Sequence, residues 1–389
     1  MSDLTGPIAA PTASPQDLVL RFLASIGRPA EATQYLALFR SEHPERFAII
    51  HVADAVVRHA ADALAVELRY LHELGLHPVL AFGAIEPRGA ARAAERMAAA
   101  LTSVPTRAVA TDADAVRATI ADGALPMIVL DREDGGADGR FDALAELASA
   151  LGTTKMLFVT RRSGLQPPDG RVVSIIDLTT EREQYLAPGA LSAEPQKLLR
   201  QIGRILDRVT HRLTISVTSP LDLLRELFTV KGAGTLVRRG STITRHLRWD
   251  DVDRPRLRAL VEESFGRPLQ PDFERRPVIA VYVADEYRGA AVVTPAPLAP
   301  YLSKFAVTTV MRGEGVGRDL WRALASDMPR LFWRSRAANP ITSWYREQCD
   351  GMQRIVVAGE PWWVLWRGLA PLEIPTAIDY CTSAPPDFM

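Results

Sequence analysis

The sequence predicts an α/β protein in two parts: an open, mostly parallel sheet sandwiched by helices, then a smaller domain around a second sheet. Two observations predict it. Over the first half, short apolar runs alternate with longer helical patterns, the signature of βα units feeding a parallel sheet. Past residue 240 that rhythm gives way to a hairpin, a strand, a glycine-rich turn and a helix. Length agrees, since 389 residues exceed what one core usually organises.

In the first half, residues 1–14 are Ala/Pro/Ser/Thr-rich and read as a flexible tail without a basic flank, not a signal peptide. Helices are expected over Pro15–Ile26, with Ser14 as N-cap and Gly27 as stop, and over Pro29–Arg40. Strands at Phe47–Val52, His77–Phe82, Arg107–Ala110, Leu125–Leu130 and Lys155–Thr160 alternate with helices at Ala53–Leu74, Ala90–Leu101, Asp112–Ala121 and Asp142–Leu151. Helix Gln196–Leu213, strand Thr214–Val217 and helix Pro220–Phe228 follow, and Gly232–Gly240 closes this half as a strand or turn. A linker is expected near Arg238–Arg245, giving domains 15–240 and 241–389.

In the second half, helix Pro255–Phe265 carries its proline in the first turn. Pro277–Val283 and Ala290–Thr294 form a hairpin. Strand Phe305–Val310, helix Gly317–Asp327, strand Leu331–Arg334, helix Pro340–Glu347 and strand Pro361–Arg367 complete it.

Bulk composition narrows the function. Apolar residues make up 47% and charged residues 24% of the chain, ordinary for a globular protein. Lys+Arg (46) equals Asp+Glu (46), so no basic excess favours nucleic acid. No apolar run reaches membrane-spanning length. The two cysteines, Cys349 and Cys381, cannot build a disulfide framework and fit a reducing cytoplasm.

Arg312-Gly-Glu-Gly-Val-Gly317 has the form R-x-x-G-x-G between a strand and a helix. Glycines at 313, 315 and 317 expose backbone N–H groups at a helix N-terminus, where the dipole also favours anions. The ligand is a phosphate or pyrophosphate, and no G-K-[ST] follows to make a Walker loop. The order hairpin, strand, loop, helix, strand, helix, strand resembles the GNAT acyltransferases. Within them, Tyr301–Val307 (YLSKFAV), Leu331–Arg336 (LFWRSR), Asn339-Pro-Ile341, Trp344-Tyr345 and Trp363–Leu369 (WVLWRGL) resemble the acetyltransferase domain of the fused N-acetylglutamate synthase/kinase and vertebrate-type synthase family.

That resemblance implies acetyl-CoA as co-substrate, held by Phe305, Ala306, Val307, Arg312, Gly313, Glu314, Gly315, Val316 and Gly317, and no metal. It implies L-glutamate as acceptor, with Lys304 and Arg336 on its carboxylates and Arg334 a third cation; a guanidinium fork suits a carboxylate. Tyr345 would protonate the leaving thiolate and Asn339 position the amine. A tyrosine of ordinary pKa is protonated at neutral pH, as that role needs. No histidine follows His246, so a histidine base is excluded from this half. Cys349, one turn beyond Tyr345, is a nucleophile or a small core residue. Arg318 and Arg322 are CoA-phosphate ligands or a solvated helix face. Trp362, Val364 and Trp366 share one strand face, with Trp363 and Leu365 on the other, as core or subunit interface.

The first half resembles the same family's amino-acid kinase domain at its ends: Ile26–Tyr35 and Glu226–Gly240. The kinase machinery between them is missing. The family's K-x-G-G stands here as His51-Val-Ala-Asp54, its G-A-G-P as Gly83-Ala-Ile-Glu-Pro87, and its N-x-N-A-D segment has no counterpart near Gly139–Ala150. Lys197 alone could not supply that chemistry. Phosphoryl transfer depends on positioned charge, so lost kinase activity is expected. In the family the arginine effector site and the oligomer contacts lie in this domain. The resemblance places L-arginine at Tyr35, Glu226, Lys231, Gly232 and Gly234, and implies a homo-oligomer, a tetramer first. Alternatives are a GNAT enzyme for another amino acid and a non-catalytic regulatory partner of a separate acetylglutamate kinase.

Overall fold

The computed structural model describes residues 25, 29–41, 43–131, 136–229, 232–308 and 315–389. The expected helix over Pro15–Ile26 falls outside these residues except for helical Ser25. Two compact units divide between Arg239 and Gly240.

In the first unit, α1 (Pro29–Ser41), β1 (Ile49–Val52), α2 (Asp54–Glu73), β2 (Val79–Phe82), α3 (Ala90–Ala100), β3 (Thr106–Ala108), α4 (Ala113–Ala121), β4 (Leu125–Val129), α5 (Gly136–Leu151) and β5 (Lys155–Val159) alternate along the chain. Then come β6 (Ile175–Asp177), α6 (Arg182–Leu186), α7 (Ala193–Arg208), β7 (Thr214–Thr218), α8 (Leu223–Phe228) and β8 (Thr235–Arg238). The eight strands lie in the order β3-β4-β2-β1-β5-β7-β8-β6. All neighbours are parallel except β7 and β8.

Strand alternation sends Ile50, Val52, Leu80 and Leu157 to the face covered by α1–α3 and α8. Ile49, Val79, Met156 and Phe158 go to the face covered by α4, α5 and α7. This is the expected open sandwich. β6 and α6 had no expectation, because three strand residues and a five-residue helix give too short a pattern to register. α5 begins six residues earlier than Asp142, at Gly136.

The second unit holds β9 (Ile243–His246), α9 (Arg254–Phe265), β10 (Ala280–Ala284), β11 (Gly289–Thr294), β12 (Tyr301–Val307), α10 (Val316–Asp327) and β13 (Leu331–Arg336). It ends with α11 (Thr342–Gln348), β14 (Gly351–Val357), β15 (Glu360–Arg367) and α12 (Ile374–Ser383). Its sheet runs β14-β15-β13-β12-β11-β10-β9. Part of the expected linker is therefore β9, an edge strand pairing Ile243–His246 with Val281–Ala284; its polar Ile-Thr-Arg-His composition hid it. β12 starts at Tyr301, four residues before the expected Phe305, and its expected extension to Val310 runs past Thr308 outside the described residues.

One face of this sheet buries Trp333 and Leu365 under Trp321 of α10 and Tyr345 of α11. The other splits between a cluster under α9, with Phe273 and Val281, and one under α12, with Phe332 and Val364. Val364 and Trp366 lie on the α12 face and Trp363 and Leu365 on the other, the expected alternation.

Candidate active site

The site is an opening in the second sheet. β12 and β13 are parallel, yet they register only at Tyr301–Phe332. Beyond that point the strands diverge, and β12 keeps its partner β11 on the other side as far as Val307. An extended ligand can enter such a gap and use strand-type hydrogen bonding.

A second irregularity decides which side chains look into it. β11 pairs Val292 with Lys304 but Val293 with Leu302, so Ser303 is an extra residue in β12. A bulge of this kind changes which face the following residues present. Leu302 and Phe305 pack on the α10 face, whereas Lys304 lies against Phe273 and Phe388 on the opposite face.

On the α10 face, Phe305 stacks on Trp344 with centroids 5.6 Å apart, and Tyr345 lies edge-on to Trp333 at 5.5 Å. Tyr345 is buried, and burial holds its phenol well above the ordinary tyrosine range. Its hydroxyl therefore keeps its proton at any physiological pH. Asn339 sits in the turn between β13 and α11. Its amide donates to Ser335 Oγ at 3.1 Å and its carbonyl oxygen accepts from Ile341 N–H at 3.3 Å, which fixes the turn leading to Tyr345. Burial pushes the Cys349 thiol up. A nucleophilic cysteine needs the reverse, and Cys349 packs against the α10-face core.

Gly315 begins the helix that follows the glycine loop, at φ 80° and ψ 2°, a left-handed conformation glycine adopts without strain. Gly317 is different. A Cβ there would meet Val307 and Phe305 at 3.6 and 3.7 Å, ordinary contact, so among the described residues of the loop the backbone demands glycine at 315 and not at 317. Arg312, Gly313 and Glu314 lie outside the described residues. Val316 is buried under the sheet end, and Ala306 packs toward α9.

The three cations share the other face. Lys304 is 3% exposed. Burial pushes its ammonium down to about 8, against the pull of the Asp387 carboxylate. Its Nζ is ion-paired with Asp387 and donates to Ser303 O at 3.0 Å and Ser303 Oγ at 3.2 Å. Arg276 holds the other Asp387 oxygen at 2.6 Å. Arg334 donates to the carbonyls of Cys381 (2.6 Å), Ala384 (3.2 Å) and Pro385 (3.1 Å), so the structure gives it the end of α12 as a partner. Arg336 is exposed, its guanidinium 5.5 Å from the Trp362 ring. Sequence reasoning missed Arg276 and Asp387. Asp387 lies 83 residues from Lys304, and nothing local marks either one.

In the first unit, His51 stands at the end of β1, 1% exposed and 5.2 Å from the Phe158 ring. Its Nε2 accepts the Ala84 N–H at 3.1 Å. Burial pushes the imidazole down to about 3, so it is neutral at physiological pH. A backbone donor after β2 is thus consumed by a side chain that carries no charge. Asp54 pairs with Arg58 at 3.1 Å. Unfolding lets His51 take up a proton below its ordinary value of 6.5, while the native ring stays neutral to about 3. It therefore subtracts about 1.4 kcal/mol of stability per pH unit of descent inside that window and nothing above it. Glu67, raised to about 7 by burial, bends the curve the other way, so the difference between variants is the informative quantity. His51→Gln is expected to close part of the urea-midpoint gap between pH 7 and pH 5.

At the closing segment, Glu226 Oε2 accepts from Ala233 N–H at 2.7 Å and Gly234 N–H at 2.9 Å. Glu226 was expected to await a guanidinium; here its carboxylate staples the loop that follows α8. A Cβ at Gly234 would come within 2.2 Å of Val217 O, so the loop can lie against β7 only with glycine there. Gly232 also faces Glu226, and Tyr35 packs toward Phe39 with centroids 6.0 Å apart. Lys231 lies outside the described residues. Among the described residues no cluster of His, Cys, Asp or Glu could hold a metal, and no helix is long and apolar enough to cross a membrane.

A family model for the N-acetyltransferase of N-acetylglutamate synthase matches residues 244–383. Acetylglutamate kinase from Xylella fastidiosa (strain Temecula1 / ATCC 700964) is 32% identical over 416 aligned residues, which span 92% of this chain and 98% of that protein. The chain belongs to the fused acetylglutamate kinase and N-acetylglutamate synthase family. Human mitochondrial N-acetylglutamate synthase is 35% identical over 237 residues, 59% of this chain and 44% of that one. The solved N-acetylglutamate synthase from Neisseria gonorrhoeae, complexed with coenzyme A and N-acetyl-glutamate, aligns over 87% of this chain and 98% of its own. Its TM-score is 0.52 at 18% identity, a likeness of fold. Within this fused family, the kinase-like sandwich and the acetyltransferase sheet are the two units described above.

Proposed function

We propose that this family member is an N-acetylglutamate synthase that moves acetyl from acetyl-CoA to the α-amino group of L-glutamate, and that its kinase-like half transfers no phosphate. What carries the reading is the sheet opening, with a buried proton donor on one side and a bank of cations on the other. The thioester enters between β12 and β13, with its phosphates toward the Gly315 helix start. The free amine attacks the thioester carbonyl carbon and forms a tetrahedral oxyanion. Collapse re-forms the carbonyl and breaks the C–S bond, and Tyr345 gives its proton to the departing thiolate. Asn339 positions the amine, whose surplus proton leaves to water, and water returns a proton to the Tyr345 oxygen. Lys304 and Arg336 hold the acceptor's carboxylates, with Arg334 beside them.

Relatives that align with 92% of this chain are called acetylglutamate kinases. Against phosphoryl transfer here stands His51, neutral where the kinase pattern has a lysine and hydrogen-bonded to Ala84. Feedback by L-arginine on the Glu226–Gly234 loop, a homo-oligomer with a tetramer first, and a cytoplasmic setting complete the proposal. The assembly follows from the family resemblance, and the compartment is supported by two free cysteines.

One experiment tests these parts together. Thiol release is followed across a panel of amino acids with and without L-arginine, beside an assay for phosphate transfer from ATP to N-acetylglutamate. We expect L-glutamate to be preferred, arginine to change the rate, and no phosphorylation. Preference for another amino acid would move the function within the fold, release with none would leave a regulatory partner, and turnover with ATP would restore the kinase.

A further inference from the structure

Two of the three cations expected to receive substrate, Lys304 and Arg334, are already engaged by the chain itself. An ammonium has three donors, and those of Lys304 go to Ser303 O, Ser303 Oγ and the Asp387 carboxylate. Arg276 divides itself between Asp387 at 2.6 Å and Asp272 at 3.3 Å. Arg334 is spent on three carbonyls from Cys381 to Pro385. The group filling the space is a carboxylate, the same group an amino-acid acceptor presents.

We propose that Asp387 is an internal carboxylate that competes with the acceptor's carboxylate for Lys304 and Arg276, so that segment 384–389 sets acceptor affinity and yields when substrate binds. This rests on the acceptor site proposed above. A lysine 3% exposed must keep an anion beside it, since an unpaired buried charge is costly. Asp387 serves in the empty enzyme and the substrate replaces it.

The segment lies outside helix and sheet. It is held by one isolated bridge, Leu269 to Phe388, by Gln270 N–H to Asp387 O at 2.9 Å and Met389 N–H to Pro268 O at 3.0 Å, and by Arg267 and Arg334 on the carbonyls of Met389, Ala384 and Pro385. Pro385 and Pro386 have no N–H to add. These ties are peripheral, and a half-exposed segment outside the sheet opens at lower free energy than the core strands. Phe273 and Phe388 flank the ammonium at 5.1 and 5.2 Å, so Phe388 would leave with Asp387 and Phe273 would stay.

The test uses the full chain with saturating acetyl-CoA. Asp387→Asn removes the competitor's charge and keeps its size. Its KM for L-glutamate is expected to fall about tenfold, one charge-assisted contact's worth, with a far smaller change in kcat, while Asp387→Glu stays near the parent. Pro385→Gly with Pro386→Gly loosens the segment and leaves every charge in place; it should lower KM in the same direction, and it decides the matter if Asp387→Asn folds poorly. An unchanged or raised KM in both variants overturns the proposal and leaves Asp387 as a fixed support for Lys304. If instead Lys304→Met added to Asp387→Asn leaves KM untouched, the acceptor site itself is wrong, and the competition proposal falls with it.

Discussion

Replacing Tyr345 by phenylalanine is expected to slow acetyl transfer by roughly 10²–10⁴-fold, the range for losing one general acid. The loss should appear in kcat, with KM for both substrates nearly unchanged. The ring is buried among Phe305, Trp333 and Trp344, and phenylalanine keeps that packing, so the folded state should survive. Stopped-flow thiol release beside thermal unfolding separates chemistry from stability. Because burial raises the Tyr345 phenol, the parent enzyme should lose no kcat to Tyr345 ionisation at high pH. A Tyr345→Phe enzyme with undiminished kcat would assign the thiolate's proton to another donor.

Lys304→Met should raise KM for L-glutamate by about 10- to 100-fold, since a charge-assisted hydrogen bond is worth roughly 1.5–3 kcal/mol. The sign with pH follows from its position. Burial brings the ammonium to about 8, so Lys304 is charged below that value and loses its charge as pH rises through it. The parent's KM for glutamate should therefore climb above pH 8, and the variant's should not. Methionine fills the slot between Phe273 and Phe388 but leaves Asp387 facing Arg276 alone. The double variant Lys304→Met/Asp387→Asn guards against an effect of that unpaired carboxylate. A KM that stays low and flat in both variants would exclude Lys304 from the acceptor site.

What the sequence revealed depends on how local each signal was. The parallel sandwich was legible because most of its strands are four or five largely apolar residues beside a helix of amphipathic period, and the strand alternation of Ile49 and Ile50 is written in the chain. Tyr345, Lys304 and Asn339 stood out through their neighbours, not their own chemistry. β9 was read as linker because an edge strand needs few apolar residues. The roles of Glu226 and Arg334 were hidden for another reason. Each is a charged side chain whose partner is backbone, and a backbone group has no letter in the sequence. Asp387 combined both difficulties, lying far along the chain in a segment whose composition reads as loop.

The extra residue at Ser303 makes the side of the sheet that Lys304 occupies a matter of counting. Substitutions between Leu302 and Phe305 alter which group is offered; deletion of Ser303 would make Leu302 and Lys304 strand neighbours, and plain alternation would keep the lysine on the face it already has. The bulge therefore lets the strand carry one residue more, or lose it again, without exchanging the electrostatics of the sheet's two faces.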